Sequence, residues 1–248
     1  MKRLHLENPE HCSALISQSR RRAGLLIALL FLAGLLQRAQ ASVAVLLGSP
    51  YGKVSILNPT GHSALYFDHI CAESPILLRP CAPGELGVVI SRYDGVGSFD
   101  WIAIPLLPYL YAVDETATIP STADGLTVLR GRDVYRREHL EIVAPDTADS
   151  GMPLGNWYQL VGAAYNRTLY GFRVKTTADQ DARMIALFND APNVSRYSGA
   201  FRNCADFVRV SIDRLYPHCH SPPLHRRFGH HCPEVSRARV DPLCPQAP

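Results

Sequence analysis

No stripe of basic residues with interleaved aromatics runs through these 248 residues, no segment repeats, and no low-complexity stretch interrupts the centre of the chain. The first absence leaves no electrostatic footprint for nucleic acid; the second excludes a repeat architecture. A long apolar span is missing as well. The run Ala23 to Leu36 (AGLLIALLFLAGLL) has 14 residues, short of the roughly 20 that a membrane-crossing helix needs. Lys2, Arg3, Arg20, Arg21 and Arg22 precede it, and Ala39-Gln40-Ala41 follows. A basic stretch, a short apolar stretch and small residues are the parts of a secretory signal peptide. The expectation is therefore export to the periplasm or cell envelope, with a leader over 1–41. A retained leader would instead anchor the protein at the membrane.

Without that leader the chain has almost no net charge. The leader carries six of the 25 Lys+Arg and two of the 22 Asp+Glu, leaving 19 basic against 20 acidic residues. The overall net charge of +3 thus belongs to the leader. The remaining residues suit one domain with a real core. Six cysteines stay after Cys12 is removed: Cys71, Cys81, Cys204, Cys219, Cys232 and Cys244. Outside the cytosol such residues tend to pair, and Cys71 with Cys81 brackets a single loop.

Short strands and amphipathic helices alternate through the middle. Val43–Leu47 reads as a buried strand, and Val54–Leu57 as extended chain. His62–Phe67 (HSALYF) alternates, with His62, Ala64 and Tyr66 on one face. A loop bearing prolines and cysteines runs to Gly84. Gly87–Tyr93 and Trp101–Ile104 read as strands, and prolines forbid a long element between Pro105 and Pro120. Arg132–Leu140 and Asn156–Asn166 read as helices, Tyr170–Lys175 as a strand, and Ala178–Asn189 as a helix capped by Thr177. Beyond Pro217 hydrophobic periodicity ends, so residues 218–248 read as an irregular tail. His218, Cys219, His220, His225, His230, His231 and Cys232 crowd there, but no C-x-x-C or H-x-x-x-H spacing organises a zinc site. No metal and no cofactor is expected.

The chemistry concentrates in Asn203-Cys204-Ala205-Asp206-Phe207-Val208. Asn203 is a favoured N-cap, and Asp206 stands where a carboxylate can reach back to it. Cys204, Phe207, Val208, Ser211, Ile212 and Leu215 then share one helical face that ends before Pro217. Cys204 so falls in the first turn, where unpaired N–H groups and the helix dipole favour a thiolate and can hold an oxyanion. An imidazolium beside it would add to that effect. A buried structural cysteine is the bland alternative.

A second segment shifts the balance. Gly61-His62-Ser63-Ala64-Leu65-Tyr66 resembles the H-x-A-[IL]-Y strand of the lecithin:retinol acyltransferase family, and Asn203-Cys204-Ala205-Asp206-Phe207-Val208 resembles its N-C-x-x-F-V helix start. The order, His before Cys, is that of circularly permuted papain-like thiol enzymes, including related bacterial envelope families. The resemblance implies an α+β fold of permuted papain-like type, an antiparallel sheet packed on the Cys helix, over 42–217. It implies that His62 takes the proton of Cys204, that an acyl-enzyme forms on an ester or amide of a lipid, lipoprotein or peptidoglycan-type substrate, and that hydrolysis or acyl transfer follows. Asn203 and Cys204 would supply the oxyanion-binding helix start. Matching Gly87–Ser91 to the family's second strand puts Ser91 where a histidine often orients the catalytic imidazole; Arg92, Asp94 and His69 are rivals for that role. A secreted binding module that retains the fold without catalysis is the competing reading.

The cap itself yields a prediction. Asn203→Ala should lower stability by about 1 kcal/mol, read as a shift of the urea midpoint without a change of slope.

Overall fold

The computed structural model describes residues 41–50, 61–149, 151–217 and 236–240. The leader as far as residue 40, the extended segment over 54–57 and the histidines and cysteines of the tail lie outside the described residues. Among the described residues no helix is long and apolar enough to cross a membrane.

The frame is an antiparallel sheet. β1 (Ser42–Gly48) pairs with β2 (His62–Phe67) on one edge, and with the strand Leu169–Lys175 on the other. Its apolar run Val43-Ala44-Val45-Leu46-Leu47 thereby becomes a central strand, as a short uninterrupted apolar segment should. β3 (Ile70–Ser74) and β4 (Leu77–Pro80) form a separate hairpin. β5 (Val88–Ser91), β6 (Ile102–Pro105), β7 (Leu169–Lys175) and β8 (Ser236–Val240) complete the main sheet in the order β6-β5-β2-β1-β7-β8. The architecture is α+β with antiparallel pairing, as expected.

Alternation along the strands divides the core in two. Ala44, Leu46, Ala64, Val89, Ile104 and Leu169 face one layer, built with Tyr109, Tyr135, Trp157 and Leu160. Val43, Leu65, Phe67, Val88, Ile90 and Val174 face the other, built with Met184, Phe188, Phe207, Val208 and Leu215. The first layer holds α1 (Leu106–Tyr111) and α2 (Gly125–His139); the second holds α3 (Ala178–Asp190) and α4 (Cys204–Leu215). Thr177 caps α3 with a reciprocal box to Gln180. The helix from Asn203 packs on the sheet through the apolar face read from the sequence.

Four segments differ from their sequence reading. The loop before Gly84 contains the β3–β4 hairpin, closed by the Cys71–Cys81 disulfide. α2 starts at Gly125, earlier than Arg132, because Asp124 caps it by accepting from the Thr127 N–H at 2.7 Å. Asn156–Asn166 is not one helix but two 3-10 turns, Trp157–Gln159 and Ala163–Tyr165. Gly162 between them has φ 72°, and the Val161 and Gly162 carbonyls accept from Arg132 at 3.0 and 2.9 Å, the Gly162 carbonyl taking only the 3-10 bond from the Tyr165 N–H at 3.3 Å besides. Finally, the tail is not irregular throughout, since Ser236–Val240 adds to the edge of β7 from Leu169↔Val240 to Arg173↔Ser236. Edge addition runs on main-chain hydrogen bonds, so it needs no hydrophobic period to announce it.

α2 reads as polar, yet two of its arginines are buried. Arg136 is 1% exposed. It donates to the Ala144 carbonyl at 2.9 Å and to Asp133 and Asp146 at 2.7 Å, and lies over the Trp157 ring at 5.5 Å. Arg137 makes comparable ion pairs from an exposed position. Burial decides which pair matters, because exposed pairs contribute little. Arg136→Ala should cost about 3 kcal/mol through the cavity and the stranded carbonyl, while Arg137→Ala should stay within about 0.5 kcal/mol of wild type, both measured by urea denaturation.

Candidate functional site

The site assembles at the end of the sheet where β2 begins. Gly61 precedes it with φ 76°, and a Cβ there would stand 2.5 Å from the Gly48 carbonyl oxygen, so only glycine fits this entry. His62 then pairs with Gly48 across β1 and β2. Antiparallel partners share a face, so the open side of Gly48 adjoins the imidazole. That space is filled by Arg167: a Cβ on Gly48 would meet its Cδ at 2.6 Å and a guanidinium nitrogen at 3.0 Å. Arg167 is itself buried, with a 3.4 Å hydrogen bond to Gln159.

Tyr93 covers the histidine. Its ring stacks on His62 with centroids 4.9 Å apart and planes inclined by 29°. His62 Nε2 and the Tyr93 hydroxyl are both sealed from solvent, and neither has a hydrogen-bond partner. Such groups are uncommon in a folded protein, and each costs about 1–3 kcal/mol of desolvation. Burial lowers the imidazole pKa from 6.5 to about 3, and the Arg167 charge pushes it the same way. Burial raises the Tyr93 phenol well above 10, and burial raises Tyr109 to about 12. Arg167 opposes both of these shifts.

Cys204 arrives from the opposite layer. It opens α4 as a free, partly buried thiol. Asn203 caps the helix, accepting from the Asp206 N–H at 3.0 Å while its amide donates to the Gly199 carbonyl at 2.9 Å. The cap is one-sided, for the Asp206 carboxylate pairs with Arg209 at 2.8 Å rather than reaching back. Arg92, the residue after β5, fastens this first turn to the sheet end. It donates to the Asn203 carbonyl at 3.4 Å, lies 5.6 Å over the Phe207 ring, and is held by Asp100 at 2.5 Å. Because β5 runs antiparallel to β2, the end of β5 is also the start of β2, so α4 begins beside the strand that carries His62. The two layers meet electrostatically here. The Cys204 charge is among the causes that raise Tyr93, Tyr109 and Tyr197, after burial in each case.

Of the candidate orienters, Ser91 is fully buried and donates its hydroxyl to the Ser63 carbonyl at 2.7 Å, stitching β5 to β2. Its single proton is therefore directed at the backbone and not at the imidazole. His69 bonds Asp68 at 2.7 Å beyond the far end of β2, roughly 20 Å from His62 at about 3.3 Å per residue. Arg92 serves the α4 clamp, and the Asp94 side chain makes no hydrogen bond among the described residues. The contact that fixes the His62 ring is Tyr93. The sequence reading did not single it out, although Val89, Ser91 and Tyr93 continue one alternation. Arg167 and Tyr109 left no comparable signal, since loop and turn geometry brings them in.

A cavity of about 550 Å³ between the β3–β4 hairpin and α1 shares no residue with this constellation. A smaller cleft of about 280 Å³, lined by Arg92, Trp101, Arg202, Asp206 and Phe207, adjoins the start of α4. No family model matches the chain, and no curated protein or solved structure does.

The depressed imidazole pKa fixes a pH dependence. The unfolded histidine takes up a proton below about pH 6.5, whereas the folded one stays neutral down to about 3. The stability it contributes is complete above 6.5 and is lost as pH falls through that window. Urea midpoints at pH 7 and about pH 4.5 should therefore fall further apart for wild type than for His62→Gln. Equal shifts in the two proteins would show that His62 is not held neutral.

Proposed function

We propose that the chain is an exported thiol enzyme of permuted papain-like arrangement, a cysteine acyltransferase or hydrolase with Cys204 as nucleophile and His62 as base. The observation that carries this reading is a buried imidazole whose Nε2 has no partner, at the sheet end where a capped helix begins with a free cysteine. A purely structural core histidine would have its ring nitrogens bonded. The resemblance of the His62 strand and the Cys204 helix to the acyltransferase family supports the same pair.

The chemistry follows from a neutral histidine. An imidazolium resting beside a thiolate, as the sequence suggested, conflicts with burial and with Arg167, which both disfavour the charged ring. His62 instead starts as a proton acceptor. Cys204 Sγ attacks the carbonyl carbon while its proton passes to Nε2, and the carbonyl electron pair moves onto oxygen. The imidazolium exists only while a negative charge on the substrate oxygen is there to balance it. Collapse restores the C=O bond and expels the alcohol or amine, which takes the proton from His62. Water or an acceptor alcohol or amine then attacks the acyl-enzyme by the same path in reverse. The substrate class remains an ester or amide of lipid, lipoprotein or peptidoglycan type, reached at the cell envelope, and the reaction calls for no cofactor.

The test is acylation of Cys204 by p-nitrophenyl acetate in wild type and His62→Ala, with the modified residue mapped. Wild type should form an acyl-enzyme on Cys204, because His62 takes the thiol proton as the carbonyl is attacked. His62→Ala should be acylated about 10²- to 10⁴-fold more slowly, the usual contribution of a general base. Equal rates in the two proteins would restore the structural cysteine, or the binding module that keeps the fold without the reaction.

A further inference from the structure

We propose that the Tyr93 hydroxyl is a hydrogen-bond donor to the oxygen of the attacked carbonyl, a catalytic residue outside the Cys204–His62 pair. The proposal rests on that pair being the reacting one. Tyr93 is 4% exposed, and its hydroxyl is buried without an acceptor. Its ring lies face to face with His62, which keeps the two polar tips from bonding each other and leaves both to a third party. What a carbonyl under attack offers is an oxygen gaining negative charge and a leaving group needing a proton. One phenolic O–H and one imidazole Nε2 match those two demands.

The surroundings favour donation over ionisation. Burial holds the phenol protonated far above neutral pH. α4 supplies company for the donor. Asn203 occupies the Asp206 N–H, and Phe207 donates to the Asn203 carbonyl at 3.0 Å, while the Cys204 and Ala205 N–H groups have no acceptor among the described residues. During the step Sγ bonds to the carbonyl carbon, the π pair moves to oxygen and shortens the hydrogen bond from Tyr93, and the thiol proton resides on His62. Collapse then expels the leaving group, and Tyr93 keeps its proton throughout. Donors placed for the charge that develops act at full strength in such a water-excluded site.

Two reagents separate this role from a structural one. Acylation by p-nitrophenyl acetate, read as the p-nitrophenolate burst, builds an oxyanion; alkylation by iodoacetamide does not. In the full-length chain Tyr93→Phe keeps the stacked ring and loses only the hydroxyl. Its acylation should slow by about 10²-fold, the usual loss for one oxyanion donor, with the alkylation rate and its pH profile unchanged. Tyr93→Leu, which also removes the stack, should slow both reactions. If Tyr93→Phe is acylated within about threefold of wild type, far less than such a donor supplies, the proposal is overturned while the pair stands. If wild-type Cys204 is not acylated at all, or His62→Ala is acylated equally fast, the pair falls and the Tyr93 role falls with it.

Discussion

β1 is hydrogen-bonded on both edges, and its last residue, Gly48, stands opposite His62 on one side and Leu169 on the other. Any side chain at that position would collide with Arg167. The glycine thus admits a guanidinium into the layer that houses the imidazole, and the electrostatics of the site follow. A buried histidine next to a fixed positive charge cannot rest as an imidazolium. With Tyr93 stacked on its face, it is also denied the water that would satisfy Nε2. Both features stem from how three strand ends converge, and neither requires a residue of unusual chemistry.

In the proposed reaction His62 starts as a neutral base and not as half of a resting ion pair, so the imidazolium is opposed until the substrate oxygen starts to become negative. Proton transfer and carbon attack are then coupled by electrostatics, since the imidazolium and the oxyanion stabilise each other in a medium of low effective dielectric. Arg167 opposes the imidazolium, yet its charge also favours any anion formed close by. The same guanidinium lowers the tyrosine pKa values that burial raises. On the proposed mechanism such a site favours a carbonyl over other electrophiles, because only a carbonyl supplies the oxyanion that completes the charge pair.

Much of the frame was legible in the residues themselves. β2 was read with the bounds it has, the Thr177 and Asn203 caps were named, and the α4 face from Phe207 to Leu215 follows its helical period, because local chemistry alone decides each of these. The errors fall where distant groups decide. Arg132 draws the carbonyls of Val161 and Gly162 out of a would-be helix, and the edge of β7 recruits Ser236–Val240 without any hydrophobic signal. At the site, the Asn203 cap and the first-turn place of Cys204 follow from helical spacing, whereas His62 and Ser91 enter through the resemblance, and His62 Nε2 forms no hydrogen bond with Cys204. The hydrogen bond from Ser91 to Ser63 depends on strand pairing that no single strand reveals. Arg167 was invisible for the same reason, being positioned by a missing side chain 119 places earlier.

The clamp at Arg92 ties stability to chemistry. Arg92 joins Asp100, the Phe207 ring and the Asn203 carbonyl in one buried contact, and because Asp100 fixes the guanidinium from outside α4, a shift of the first turn would give up the Asn203 and Phe207 contacts against a stationary partner. The cap at Asn203 alone would let that turn fray, as helix ends ordinarily do. Together they hold Cys204 against an end of the sheet that already bears two unpartnered polar groups. A fold that bears that penalty must be rigid elsewhere, since the simplest relief would be a small movement admitting water to Nε2 and the phenol. The dense packing of Arg92 on one side and of Gly48 against Arg167 on the other resists that movement, so the two groups stay unpartnered in the folded chain.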